Sequence, residues 1–488
     1  MSVDVSAARL SAAVSVSGTQ ARRFATFAVL AALSVLGWHA QNRPTITLDW
    51  TTAGLVLAVV VLLRPSSKVL FLSLAVAEVL SVLIALPSTN TNRLLQLFIF
   101  ATIASTGLYV LARFRKLDAG AWLELFQPLL RLELVIVYAL AAWHKLNLDF
   151  FNPQLSCAVV LFERAPFFHL HAGSEMLRWA LIFATIITEA SLPVLLSLRR
   201  TRNFAVCYGV LFHIALGLSE FYAFSVTMIS LLFLFTPDNF NDVAAEFWRS
   251  RSRVVRTAVM VVALLIVAIV LAWSVAHFGP SLADLRHISS LKGGLNMIWG
   301  KVSYWSGYWM LPLYLAPVGL FVWLWYRQPS AFQPAAHSYR PIPALFWVIP
   351  ALLIFDGINP YLGLKTDTAF AMYSNLRSEG GMTNHLIWRH PLDLAHYQED
   401  LVQIVDSNDA VLKLAAKRGW PIPFFDLQRH VSYQAHIGVK NISVTYIRNG
   451  ATIHVESAES DPVLAARPPL LARKLLLFRA IGREGCPH

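Results

Sequence analysis

The sequence predicts an all-α polytopic membrane bundle of about nine to eleven transmembrane helices, with a small β-rich extramembrane domain at its C-terminal end. Three observations carry this. Hydrophobic residues fill 56 % of the 488 positions and charged residues 14 %, against about 25 % charged in an ordinary soluble domain. Long apolar runs follow one another in close order, many near the ~20 residues that cross a ~30 Å hydrocarbon layer. The charge is also divided. Residues 1–355 hold 26 Lys/Arg and 15 Asp/Glu, while residues 356–488 hold 14 and 13, a density suited to water. A disordered, fibrous or simple soluble multidomain protein is excluded, and three cysteines exclude a disulfide framework.

Residues 1–22 are small and polar and read as a cytoplasmic N-terminal segment without a cleavable signal peptide. The membrane part, 23–356, contains apolar runs at 23–40, 51–63, 69–87, 94–112, 124–144, 177–198, 203–219, 221–236, 254–276, 307–326 and 341–356. Counting Lys and Arg in the connections places 17 on the side of the N-terminus and eight on the other. The N-terminus is therefore expected inside and the tail outside, in the cell membrane for a bacterial protein. The basic excess belongs to these loops, so no nucleic-acid partner is expected. Two outer connections are long, 145–176 and 277–306, and their aromatic, amphipathic character suits a bilayer interface. Residues 357–488 alternate apolar and polar positions in HIGVKNISVTYI and ATIHVES around Arg448-Asn449-Gly450, where Asn-Gly signals a hairpin.

Ionisable side chains inside apolar spans are costly in lipid and are functional candidates by default. Glu78, Glu133, Glu189 and Lys145 meet that description, with His144 and His213 beside them. The fifth span ends in YALAAWHKLNLDFF. On a helix Tyr138 and Lys145 share one face, and Glu133 and His144 a neighbouring one. A lysine at a helix end ordinarily snorkels to the interface. Here the following segment is itself apolar and could fold back over the amine. In such a low-dielectric pocket a lysine loses proton affinity and becomes a usable base.

This stretch resembles the signature of the HTTM domain, shared by vitamin K-dependent γ-carboxylases and many bacterial membrane proteins. In the carboxylases the corresponding helix ends in Lys-Lys-Leu-Asp, followed by Asp-Trp. ITEASLPVLL at 187–196, the HIALGL run from His213 and FSVTMISLLFLF at 224–235 are similar to further parts of the same domain, so the likeness spans about 20 to 240. AMYSNLRSEGGMTNHL at 371–386 is similar to tails of bacterial members. By this resemblance Lys145 matches the catalytic base, His144 replaces the first lysine, and Asp149 matches the acid before the aromatic, here Phe150 rather than Trp.

The resemblance implies a lyase-type quinol epoxidase and carboxylase. A neutral lysine deprotonates a vitamin K-like hydroquinone, the oxyanion reacts with O2 and collapses toward an epoxide, and the basic oxygen species takes a γ-proton from a Glu whose carbanion traps CO2. Such chemistry needs a water-poor site. The chain is shorter than the animal carboxylases, whose extra outer domain holds the substrate propeptide, so carboxylation stays open, as does a protein or small-molecule substrate. A transporter, a lipid- or quinone-binding protein and a scaffold are the non-catalytic alternatives.

The remaining candidates have plainer readings. Asn375, Arg377, Asn384 and His385 either line the pocket mouth or form a polar turn anchoring the tail. His169 and His171 suit an interfacial pair better than a metal, and no metal is expected. Glu189 either serves a pocket or satisfies the helix around Pro193. Glu78 reads as a packing or relay carboxylate. Cys157 and Cys486 both fall outside and could form one disulfide in an oxidising compartment.

Overall fold

The computed structural model describes residues 18–42, 50–164, 171–278, 314–330, 332, 339, 343–482 and 486. The helical part begins with α1 (Gly18–Asn42), α2 (Trp50–Leu63), α3 (Lys68–Ala85), α4 (Thr91–Phe114) and α5 (Ala119–His144). The short α6 (Cys157–Glu163) follows, then α7 (Glu175–Ser197), α8 (Arg202–Leu216) and α9 (Tyr222–Phe233). After these come α10 (Phe240–Arg249), α11 (Arg253–Phe278), α12 (Leu315–Arg327) and α13 (Val348–Ile358). Seven of the described helices are long and apolar enough to cross a membrane. Helices α2 and α9, with 14 and 12 residues, match the runs 51–63 and 221–236 to within three residues and span only ~18–21 Å at 1.5 Å per residue, less than a ~30 Å hydrocarbon layer.

Polar side chains start the helices where the chain leaves a turn. Ser67, Asn90, Asp118 and Ser174 accept from backbone N–H groups in the first turns of α3, α4, α5 and α7, satisfying donors that lack a partner within the helix. At the other end of α9, Arg23 and Arg131 donate to the free carbonyls, both reaching Leu234 O. Buried arginine thus closes a helix C-terminus against α1 and α5.

Close packing depends on missing side chains at two places. Gly107 lies against the Trp122 ring, which a Cβ would meet at 2.6 Å, and the indole N–H donates to Ile103 O. Gly209 on α8 similarly touches Leu232 on α9. The runs 203–219 and 221–236 therefore fold back on each other, turning through a π-helical segment, Gly217–Phe221.

Directions can be read from contacts. Gln20 and Arg23 near the start of α1 bond Glu124 and Gln127 near the start of α5, so Lys145 lies at the end of the bundle away from Gly18. The C-terminal domain sits at that same end, where Lys474 donates to Ile84 O and Leu86 O at the close of α3.

That domain contains β1 (Leu401–Ser407), α14 (Ala410–Arg418), β2 (Ile422–Pro423) and α15 (Phe424–His436), then β3 (Val444–Arg448), β4 (Ala451–Val455) and α16 (Leu470–Leu475). The sheet is antiparallel in order β2-β1-β3-β4. The hairpin falls where Asn449-Gly450 was read, with φ of 50° and 77°, as a two-residue turn between twisted strands requires. The expectation of a β-rich domain needs correction. Strands of seven, two, five and five residues pack against helices of nine and thirteen, making an α+β unit. HIGVKNISVTYI becomes strand only from Val444, because α15 runs on to His436 and Gly438 and Asn441 turn the chain at positive φ.

Asp426 in α15 is buried, and burial pushes its carboxyl up to about 6 against the opposing pull of Arg429, 2.9 Å away. An unfolded aspartate titrates near 3.9, so between about pH 4 and 6 the folded domain binds the extra proton. Stability should fall as pH rises through that window and level above it. Hydrogen exchange of β1 amides from pH 4 to 7 tests this: Asp426→Asn should flatten the slope, and an unchanged slope would refute the assignment.

Cys157 and Cys486 are bonded, with Cα atoms 5.1 Å apart across 329 residues of sequence. The bond pins the end of the chain to the start of α6. Reduction, or Cys157→Ser, should cost about 2–4 kcal/mol, seen as a lower thermal midpoint. Maleimide should label both thiols only after reductant.

Candidate functional site

Lys145 caps α5 and is 4 % exposed. Its Nζ lies 2.7 Å from Glu189 Oε2 and 5.8 Å from the centre of the Phe150 ring. Glu189 faces it because α7 packs along α5. Oε2 has no aligned hydrogen-bond donor, so the contact is an ion pair with a lone-pair direction left over.

The pair borders a cavity of about 380 Å3, within the ~300–1,000 Å3 of small-molecule sites. Lys145 and Glu189 are the charged groups among its described lining residues. Four phenylalanines from four different elements, Phe162 of α6, Phe212 of α8, Phe221 of the π-helical turn and Phe224 of α9, form much of the wall, together with Phe370, Met372 and Tyr373. The expected fold-back over the amine is present: α6 contributes Ala158, Leu161 and Phe162. The π-helical turn contributes Leu218, Ser219 and Phe221; such turns are frequent at functional sites.

A strap, 371–386, covers this end of α5. Asn147 is fully buried and holds it: Nδ2 donates to His144 O at 2.7 Å and to Ser374 O at 2.5 Å. Its Oδ1 accepts from Phe150 N at 2.9 Å and from Asn384 Nδ2 at 3.3 Å. Asn375 accepts from Cys157 N and donates to Leu155 O. Asn384 also accepts from Arg377 N. The strap backbone then pairs with the motif through Leu148 N to Asn384 O and Leu386 N to Leu146 O.

The sequence-predicted residues divide into separate groups. Lys145 and Glu189 meet in the cavity. Asp149 does not reach the amine; its Oδ2 pairs with Arg377 Nε at 2.8 Å, and Arg377 also donates to Gly482 O. His144 does not contact Lys145 through its ring either, since Nδ1 is 2.8 Å from the Tyr361 hydroxyl. Neither therefore orients the amine directly, because each is committed to a partner on the tail side. His385 is a neutral donor-acceptor: Nε2 donates to Trp143 O at 3.0 Å while Nδ1 accepts from Trp388 N. Burial lowers its proton affinity, in keeping with that role.

Tyr138 and His213 form a buried 2.6 Å hydrogen bond behind the cavity wall. Glu133 lies twelve residues before Lys145, ~18 Å along the helix, and accepts from Thr102 Oγ1; it is not part of this site. Glu78 pairs with buried Arg93, as a packing carboxylate would. His169 lies outside the described residues, as do 1–17, 279–313 and 341–342, which include most of the second long connection. His171 is exposed and meets Glu163 at 3.3 Å, a carboxylate the sequence reading did not place there. Another unanticipated grouping is Asp393, His396 and Glu399, whose ligand atoms lie within 4.8 Å of one another at the surface of the tail.

Phe221, Phe370 and Tyr373 were missed as site residues. They come from the π-helical turn and from the stretch where the strap begins, and no local pattern connects them with Lys145.

Comparison of the chain with protein-family profiles, with curated proteins and with solved structures returns no match.

Proposed function

We propose that this chain is a multi-pass membrane enzyme of the vitamin K-dependent γ-carboxylase-like, HTTM type, with Lys145 as a base acting on a lipid-soluble quinol. The observation that carries the reading is a lysine–glutamate pair bordering a cavity whose other described lining residues are uncharged and largely apolar or aromatic. The bilayer setting is supported by the seven apolar helices and by apolar side chains left in the open along them and along α11, such as Val69, Leu264 and Ile269. With the N-terminus cytoplasmic, the cavity and the C-terminal domain are extracytoplasmic.

The cavity fits a quinol head group. Its walls suit a flat aromatic ring, and the polar pair at one side suits a hydroxyl: Nζ can accept its proton, and the unaligned Oε2 can accept its hydrogen bond. On going to the epoxide, the bound quinol would supply all four electrons that reduce O2, one oxygen atom staying in the epoxide and the other leaving as hydroxide or water. Before that step Nζ must carry no extra proton, and Glu189 is the group beside it that can hold one. Phe162 and the strap keep bulk water from the amine, which a strongly basic product would otherwise consume. Asn147 and Arg377 position the strap.

The test is purified protein given reduced quinone and O2, with epoxide measured and CO2 incorporation into a Glu peptide followed separately. Epoxide from the wild type and none from Lys145→Ala supports the reading. Equal epoxide from both sinks it. Quinone binding that depends on Lys145 but yields no epoxide in any arm would assign the cavity to a lipid- or quinone-binding protein instead.

A further inference from the structure

A second cavity, of about 560 Å3, lies where the C-terminal domain meets the end of α3. One wall is the turn Ile84–Ser88, and the other comes from α15, α16 and the segment before α16. Arg429, Arg467, Arg473 and Lys474 line it together with His430 and His436, and no carboxylate is among its described lining residues. Asp426 offsets Arg429 and Asp409 engages His430. Among the described residues no acid lies within ion-pair distance of Arg467, Arg473 or Lys474, and the Arg473 Nε–H is buried without an acceptor.

Lys474 is occupied in fixing α16 to Ile84 O and Leu86 O. That tie joins two elements that each carry exposed apolar side chains beside the basic cluster. Leu470, Leu471 and Leu475 of α16 are 58 %, 72 % and 51 % exposed, and Leu83 and Ile84 at the end of α3 are 46 % and 54 % exposed. Exposed leucines on the same short helix as a guanidinium group with no acid partner among the described residues suit the two parts of one molecule, acyl chains and a phosphate.

From this arrangement we infer that the cavity binds the head group of an anionic phospholipid at the bilayer surface. Arg467 and Arg473 take the phosphate, and the exposed leucines lie among its chains. The inference rests on the bilayer reading of α3 but not on any chemistry at Lys145. Bound lipid would fix the C-terminal domain, and with it the strap, to the membrane face.

The experiment uses the full chain in nanodiscs of zwitterionic phosphatidylcholine, with or without phosphatidylglycerol, following its thermal midpoint. Phosphatidylglycerol is expected to raise the midpoint of the wild type by about 3–5 °C, and Arg467→Gln/Arg473→Gln is expected to lose that rise while keeping the midpoint seen in phosphatidylcholine alone. Inorganic phosphate should give no rise. Equal stabilisation by both lipids, an unaltered rise in the double variant, or the same rise from phosphate alone would each overturn the assignment. Should the double variant misfold, Arg467→Gln alone, at an exposed position, serves in its place. Quinol oxygenation failing in the same preparation would leave this result standing.

Discussion

Lys145→Met is expected to lose quinol oxygenation by about a hundred- to ten-thousand-fold, the usual worth of a positioned base, and to destabilise the helical part as well. The two effects have different causes and can be separated. Methionine fills the space of the lysine stem but leaves Glu189 facing an apolar cavity with no cation 2.7 Å away. Removing one partner from a buried pair costs about 3–5 kcal/mol, because the remaining charge is uncompensated. Lys145→Met/Glu189→Leu removes both charges and should regain most of the lost stability without regaining activity. Lys145→Arg keeps a cation beside Glu189, yet a guanidinium does not give up its proton; it should fold well and remain inactive. Thermal midpoints and epoxide formation on the four proteins decide the matter. An active Lys145→Arg would end the base assignment, and a double variant no more stable than Lys145→Met would deny the pair its electrostatic role.

The next largest effect is expected at Asn147. Its side chain makes four hydrogen bonds, two of them to carbonyls of different segments. Asn147→Leu leaves His144 O and Ser374 O without that donor and Phe150 N without that acceptor, in a position closed to water. Each buried group so orphaned costs about 1–3 kcal/mol, so a loss of roughly 3 kcal/mol or more is expected. Asn147→Asp is the sharper comparison: the shape is kept, but a second oxygen replaces the donor facing the two carbonyls. It should be at least as damaging at neutral pH. The reading to follow is local: amides of 374–386 should exchange faster while those of α4 stay protected. Uniform loss of protection would mean that Asn147 supports the bundle rather than the strap.

Much of the fold was open to reading before any coordinates. Apolar runs with polar ends become helices because capping and burial are local or periodic properties, and the runs at 69–87, 94–112, 124–144 and 177–198 all appear with small shifts of boundary. Asn449-Gly450 announced its turn for the same reason, since both residues tolerate the positive φ that a tight hairpin imposes. Helices α14 and α15 do carry apolar residues at helical spacing, as at Phe424, Leu427 and Val431, a signal outweighed by the alternating runs that follow them. The runs at 51–63 and 221–236 return as α2 and α9, with ends shifted by no more than three residues.

The site divides along the same line. Lys145 stood out by itself, as a cation at the end of an apolar helix with more apolar chain to follow. Its partner could not be chosen among Glu78, Glu133 and Glu189 on composition, because all three are acids within apolar spans. The packing of α7 along α5 brings Glu189 to the amine, while Arg93 takes Glu78 and Thr102 occupies Glu133. Likewise His144 and Asp149 sit next to Lys145 in the chain yet turn to Tyr361 and Arg377, 217 and 228 residues away. Helical periodicity and charge are properties of neighbours along the chain and survive without a fold. Which buried charge meets which depends on distances between segments, and those exist only once the helices have packed.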